Sequence, residues 1–340
     1  MKSLHKALFA FAVAVLTASP APAASPTVRL ATLAPRGTSY HQALLAMREK
    51  WRQAPGGGVP LVIYTDGTMG GEADMVSRMR VGQLQAAMLS GVGLAEVDES
   101  VRAIQNIPLL YDSLEEMEQV REKLRPTIEK RLLDKGFIVL FWGDAGWVRY
   151  FSKDPVLHPA DLKKLKLWVW AGDNRHVDVL KSLGYNPVPL ETGDMYSGLQ
   201  PGLVNALTTM PFYALAQQFY SHVPHMLEVN WAPMIGAIVI TRKAWEAIPP
   251  EARPALMAAA AEAGALIKER GRLENQQAVE TMKKRGLVVH PATPEIAAEW
   301  RAFAEQVLYP RVVRGHSVPA DLFDEVRRRV AEVRSGGGSR

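Results

Sequence analysis

Residues 183–211 read LGYNPVPLETGDMYSGLQPGLVNALTTMP, and they place two short strand-like runs on either side of a helical segment. The run NPVPL predicts one strand, the segment from Asp194 predicts a helix, and LVNALTT predicts the next strand. Short β-rich runs alternate with helical patterns in the same way through the first 240 residues. This alternation is typical of an α/β fold with largely parallel strands.

The pattern changes after Pro250. Residues 251–286 form one long helical pattern with no strong stop before Gly286, and only the strand-like run LVVH and two further helices follow it. Such a helix is far longer than the usual three or four turns of a compact layer. We therefore expect a strut that runs across more than one domain.

The N-terminus has the pattern of a secretory signal peptide. Lys2, His5 and Lys6 precede the apolar run ALFAFAVAVLTA, which ends in small residues and prolines. This run is too short to span a bilayer, and no later segment is apolar for long enough. The sequence therefore predicts a signal peptide at residues 1–24 and a periplasmic protein. With no cysteine in the chain, we expect neither a lipid anchor nor disulfides.

Composition and motifs exclude several classes of function. The net charge falls from +5 to +3 when Lys2 and Lys6 leave, and no basic stripe of the kind that nucleic-acid binding needs is present. The signatures of zinc proteases, P-loop proteins and serine hydrolases are absent as well. The spacing of His222, His225 and Glu228 could suit a metal on a helix, but Pro224 interrupts that segment. We predict no metal and no cofactor.

Four blocks of the sequence resemble a known family, the DctP-type substrate-binding proteins of TRAP (tripartite ATP-independent periplasmic) transporters. The most specific block is residues 183–211, where the family repeats a strand, a tyrosine-bearing helix, LQ, a glycine and a terminal proline. The other blocks are YTDGTMGGEADMVSRMRVGQLQAAMLS (64–90), IQNIPLLYDSLEEMEQV (104–120) and GWVRYFSKDPVLHPADLKKLKLWV (146–169). Together with the long late helix, they cover nearly the whole chain after the signal peptide.

The resemblance implies a fold and a function. It implies a periplasmic-binding-protein-like α/β fold, with two α/β domains joined by crossing strands, a ligand cleft between them and a long domain-spanning helix. The expected division is residues 25–148 with about 233–260 for domain 1, 149–232 with about 285–334 for domain 2, and 250–285 for the connecting helix. The expected function is solute capture for a TRAP membrane permease, without enzymatic activity.

The chain departs from the family at two positions. The resemblance places an arginine that holds a substrate carboxylate where this chain has Trp168, and an asparagine where it has Met210. A guanidinium binds a carboxylate through two charge-assisted hydrogen bonds, whereas an indole offers one neutral donor. The two replacements favour a pocket that is more apolar and aromatic than that of the C4-dicarboxylate binders.

Strand periodicity indicates where the tryptophans of LKLWVW point. Side chains alternate along a strand, so Lys166, Trp168 and Trp170 are expected on one face. The family position of Trp168 favours the pocket over the core, and for Trp170 both places stay open. Aromatic walls suit an apolar or ring-bearing solute, or a cationic head group. Further ligand-binding candidates, each with ordinary packing as an equal alternative, are Tyr40, Met69, Met88, Phe212 and Trp231.

The sequence leaves three alternatives to this prediction open. Arg149 lies close to another cleft arginine of the family, so an organic acid with an apolar body stays a candidate ligand; the other interpretation is a surface arginine at a strand start. An exported α/β hydrolase or isomerase is a second possibility, because a fold does not settle function. A third is a sensor component that presents its ligand to a receptor or to another periplasmic protein.

Overall fold

A computed structural model describes residues 26–314 and 317–336, so the predicted signal peptide lies outside the described residues. These residues contain one sheet of nine strands. The strands are β1 (Val28–Thr32), β2 (Leu61–Tyr64), β3 (Ala86–Ser90), β4 (Phe137–Ser152), β5 (Lys166–Trp170), β6 (Asn186–Leu190), β7 (Ala206–Thr209), β8 (His225–Thr241) and β9 (Val288–His290).

Helices cover the sheet and connect its strands. They are α1 (Ser39–Arg52), α2 (Glu72–Arg80), α3 (Gly91–Ala95), α4 (Arg102–Gln105), α5 (Leu114–Asp134), α6 (Asn174–Ser182), α7 (Met195–Leu199), α8 (Pro211–Ala216), α9 (Arg242–Ala247), α10 (Arg253–Lys283), α11 (Pro294–Phe303), α12 (Tyr309–Arg314) and α13 (Ala320–Gly336). A π-helical turn, Ala304–Leu308, joins α11 to α12. None of the helices in this part of the chain is both long and apolar enough to cross a membrane.

Two long antiparallel strands tie the molecule together. Strands β4 and β8 have 16 and 17 residues and pair from Phe137 with Thr241 to Ser152 with His225. The order of the strands in the sheet is β2-β1-β3-β8-β4-β7-β5-β6. Strand β9 pairs with the first residues of β8. One half of the β4–β8 pair therefore belongs to a lobe with β1 to β3, and the other half to a lobe with β5, β6, β7 and β9.

The pairing is irregular where the chain passes between the lobes. The register of β4 against β8 shifts between Asp144 and Trp147 and again between Val148 and Tyr150. Gly146 has φ of +87° inside the first irregularity, a conformation that glycine adopts without the strain that a side chain would cause. The crossing is therefore the place at which the sheet bends between its two halves.

Helix α10 is the strut that the sequence predicts. It runs for 31 residues and packs on β4, α1 and α8. Leu256 near its start lies in the core under α1, and Met282 near its end lies in the core of the second lobe. Its buried residues recur at helical spacing through Ala260, Ala263, Ile267 and Gly271, which explains why this face stays against the sheet.

Three elements differ from what their sequence patterns indicate. Ser113 caps α5 by accepting a hydrogen bond from the Glu116 amide at 3.0 Å, and the helix continues through Pro126, although a proline inside a helix usually kinks or ends it. Strand β8 begins at His225 and continues without a break through the apolar run from Met234. At the C-terminus, α13 packs on α5 of the first lobe, although the predicted division assigned residues 285–334 to the second domain.

Trp300 on α11 fixes the C-terminal segment to the second lobe. Its side chain is fully buried, its rings meet Tyr150 and Trp231, and its indole donates to the Leu157 carbonyl at 2.8 Å. We predict that Trp300→Ala lowers the free energy of unfolding by about 3–5 kcal/mol, because it leaves a large cavity. Urea unfolding checks this value. Leu273→Ala, at an exposed site on α10, is the control and changes stability by at most about 0.5 kcal/mol.

Candidate functional site

A cavity of roughly 360 Å³ lies between the two lobes at the β4–β8 crossing. The first lobe contributes the end of β1, the start of α1 and the end of β3, and the second lobe contributes β5 and the start of α8. In sheets of this kind, ligands bind at the ends of the strands, where connections leave the two halves in different directions. The cavity is therefore the candidate solute site.

Most of the residues predicted from the sequence meet in this cavity. Its lining includes Tyr40, Met88, Trp168, Trp170, Met210, Phe212 and Trp231. Tyr40 and Phe212 come from different lobes, and their rings lie 5.5 Å apart, centroid to centroid. Two predicted residues, Met69 and Arg149, are not brought into the lining. Met69 packs instead against the hydrophobic core of the first lobe that includes Met75 and Leu94.

Both tryptophans of β5 reach the cavity, and their polar atoms are satisfied by the protein. The Trp168 indole donates to the Leu190 carbonyl at 3.1 Å, and the Trp170 indole donates to Glu191 Oε2 at 3.1 Å. Gly172 leaves room for the Trp170 ring, since a Cβ there would lie 2.3 Å from a ring carbon. With both N–H groups used, the rings offer a solute their faces and edges rather than a donor.

Arg149 on β4 is not among the residues that line the cavity. Its neighbours Val148 and Tyr150 line the cavity, and so does Thr209, its partner on β7. The guanidinium instead faces Glu228, with 3.5 Å between Nη1 and Oε1, and burial lowers the pKa of Arg149. The positive charge that the resemblance offered for a carboxylate therefore lies beside the cavity, next to Glu228, and is not part of the lining.

The charged groups on the cavity wall are acidic. Among the described residues that line it, none is a lysine or arginine, and the carboxylates are Glu72, Asp144 and Asp173. Asp144 binds Arg272 through two hydrogen bonds of 3.0 Å, and Asp173 binds Arg102 at 2.6 Å. Each of these two acids is thus neutralised by an arginine that stands behind the wall.

Asn275 on α10 holds the cavity wall in place, and sequence reasoning missed it. Its Oδ1 accepts the Phe212 amide at 2.8 Å, and its Nδ2 donates to the carbonyls of Ala145 and Gly271. One buried amide therefore joins the strut, the β4 irregularity and the first turn of α8. The only signal in the sequence was a polar residue on the buried stripe of α10, at helical spacing from Gly271.

The histidines that could suggest a metal do not converge. His222 contacts the ring of Tyr196, whereas His225 begins β8 and meets His290, with 3.0 Å between Nδ1 and Nε2. Glu228 pairs with Arg149. Within the described residues, no group of three histidine, aspartate or glutamate side chains is placed to hold a metal ion.

Comparison with known proteins assigns the family. The sequence profile of "Bacterial extracellular solute-binding protein, family 7" (DctP) matches residues 30–312. The chain belongs to this family. Its members are solute-binding proteins, which confirms the expectation of a binding function and excludes the exported-enzyme alternative.

Relatives and solved structures agree with this assignment. The chain is 26% identical to the 2,3-diketo-L-gulonate-binding periplasmic protein YiaO of Escherichia coli, over 85% of this chain and 88% of that protein. It is 22% identical to the C4-dicarboxylate-binding periplasmic protein DctP of Rhodobacter capsulatus, over 75% of each.

Solved structures share the fold. A TRAP periplasmic solute-binding protein from Haemophilus influenzae with bound L-gulonate superposes with a TM-score of 0.81 at 19% identity, covering 90% of this chain and 99% of that one. A TRAP periplasmic solute-binding protein from Chromohalobacter salexigens with bound D-glucuronate superposes with a TM-score of 0.80 at 18% identity. The superposition covers 91% of this chain and 99% of that one. The predicted two-domain architecture with a long helix is confirmed.

His176 makes the site sensitive to acid. Its ring lines the cavity, and burial lowers its pKa, with Arg102 acting in the same direction and Asp173 opposing. The folded state therefore resists a proton that the unfolded state accepts near pH 6.5. Stability from this group is present above that pH and is lost as the pH falls below it.

We predict that His176→Gln makes the loss of stability between pH 7.5 and pH 5 shallower, measured by urea unfolding at each pH. His158→Gln is the control of opposite sign, because the hydrogen bond that the exposed His158 donates to Glu299 raises the pKa of His158. In the His158→Gln variant, the free energy of unfolding falls as steeply, or more steeply, between pH 7.5 and pH 5. An unchanged slope in the His176 variant would contradict the assignment.

Proposed function

We propose that this protein captures a small solute with an apolar or ring-bearing body in the interlobe cavity and delivers it to the membrane permease of a TRAP-type importer. The single observation that carries the proposal is the cavity wall: aromatic and apolar side chains predominate, and no lysine or arginine is among the described lining residues. A dehydrated carboxylate without a charged partner is strongly disfavoured in such a place.

The proposal departs from what the relatives bind. The structures from Haemophilus influenzae and Chromohalobacter salexigens hold L-gulonate and D-glucuronate, which are acid sugars. The family resemblance puts a carboxylate-binding arginine at the position of Trp168, and a gripping asparagine at Met210. Both side chains in this cavity are large and apolar, so shape and apolar contact replace the charge-assisted grip.

The partner and the location follow from the same proposal. The predicted signal peptide directs the chain to the periplasm, where it would meet the solute, and its partners would be the permease subunits in the inner membrane. Closure of the two lobes around the solute is the movement that would report loading, with the β4–β8 crossing as the hinge. A sensor role uses the same closure and differs only in the protein that recognises it.

Calorimetry with a defined panel tests the proposal. We expect D-glucuronate, L-gulonate and succinate to bind with Kd above 1 mM, and small ring compounds without a carboxylate to bind at least tenfold more tightly, because only the acids lose hydration without gaining a charged partner. Small-angle scattering would record closure on binding. Micromolar affinity for a sugar acid or a dicarboxylate would show that the organic-acid alternative is correct.

Trp168→Arg tests the position itself. A guanidinium at this site supplies the cation that the wall lacks, so we predict at least tenfold tighter binding of D-glucuronate and weaker binding of ring compounds, measured by calorimetry. The control is Trp245→Arg, which places the same charge on α9, outside the cavity lining. Equal effects from the two variants would mean that net charge, rather than the site, is responsible.

A further inference from the structure

Glu72 is a buried carboxylate on the cavity wall without a cationic partner in the described part of the chain. It begins α2 and accepts hydrogen bonds from the Ser90 amide at 2.6 Å, from the Ser90 hydroxyl at 2.5 Å and from the Gly93 amide. A carboxylate has about four acceptor sites, so these three donors leave it capacity for one more. They hold the group at the wall without neutralising it.

Glu191 brings a second carboxylate to the same region from the other lobe. It follows β6 and accepts the Trp170 indole N–H. It also lies against the first turn of α2, since a Cβ added to Gly71 would be 3.0 Å from its Oε2. No ion pair joins Glu191 to any lysine or arginine that the structure describes. Glu191 itself is not among the residues that line the cavity, so this second acid stands beside the cavity, next to the indole of Trp170.

The other charges near the cavity leave this acidity in place. Asp144 and Asp173 are each matched by one arginine, Arg272 and Arg102, so those pairs contribute little net charge. Opposite charges attract more strongly in a cavity that excludes water than they do in solution. The faces of aromatic rings also attract cations, indole most of all. A positively charged group is thus favoured by the carboxylates and by the walls together.

We propose, building on the function proposed above, that the solute carries a cationic nitrogen, an ammonium or amidinium group on an apolar or ring-bearing body, and that Glu72 and Glu191 select it. Glu72 is the inner partner, because it is buried and already oriented by Ser90. Glu191 is exposed and supplies the second acid from the opposite lobe only when the lobes are together. Burial raises the pKa of Glu72, and a bound cation would favour its ionised form.

Three probes of similar shape separate the contribution of the solute's charge to affinity from the contribution of its ring. Calorimetry at pH 7.5 would compare 2-phenylethylamine, 2-phenylethanol and phenylacetate, which share a benzene ring and differ in charge. We expect the amine to bind at least tenfold more tightly than the acid, with the alcohol between them. D-Glucuronate serves as the family-type acid without a ring.

The variants assign the effect to the two carboxylates. In Glu72→Gln, a change of similar shape, we expect the amine to lose at least tenfold in affinity while the alcohol changes less than twofold. Glu191→Gln gives a smaller loss for the amine and keeps the test open if the Glu72 variant does not fold. Glu246→Gln removes an exposed carboxylate on α9 and is the control; it leaves all three affinities unchanged.

Each remaining outcome overturns the inference in a recognisable way. Equal binding of amine and alcohol, with no effect of Glu72→Gln, would reject the cationic solute and leave the apolar pocket standing. Equal losses for all probes in Glu72→Gln would make this residue structural. No measurable binding of the amine rejects the inference. Tightest binding of phenylacetate or D-glucuronate would reject both the inference and the apolar pocket.

Discussion

The antiparallel pairing of β4 with β8 is the constraint on which the rest of the structure depends. Because these strands run through both lobes, the lobes share one sheet, whose pairing is irregular at the segment around Gly146. Helix α10 crosses the same point and is fixed there by Arg272 and Asn275. The β4–β8 crossing, helix α10 and the cavity therefore meet at one place. A solute in the cavity would thus contact the segment that we propose as the hinge.

The chemistry of the cavity follows from which strand positions face it. On β4, Val148 and Tyr150 line the cavity, whereas Arg149 pairs with Glu228 and is not part of the lining. On β5, both tryptophans reach the wall and use their N–H groups on the protein. Arginines near the site neutralise acids of the wall instead of meeting the solute. The result is an aromatic cavity with the carboxylate of Glu72 on its wall, in a fold whose relatives from Haemophilus influenzae and Chromohalobacter salexigens were solved with acid sugars.

Much of this could be predicted from the sequence, and the exceptions have physical reasons. The alternation of strands and helices predicted the α/β fold, and the uninterrupted pattern after Pro250 predicted α10. The placement of Arg149 was not predictable, because its pairing with Glu228 depends on the register between β4 and β8, which lie far apart along the chain. The role of Asn275 depends on contacts with β4 and α8, more than 60 residues away along the chain, which no local pattern contains.

A crystal structure of the protein with the solute that co-purifies from its native host tests the central claim most directly. We predict a ring-bearing or apolar solute packed against Trp168 or Trp170, with no guanidinium bound to it. A sugar acid or dicarboxylate in the cavity, with its carboxylate held by Arg149 or by another cation, would contradict the claim.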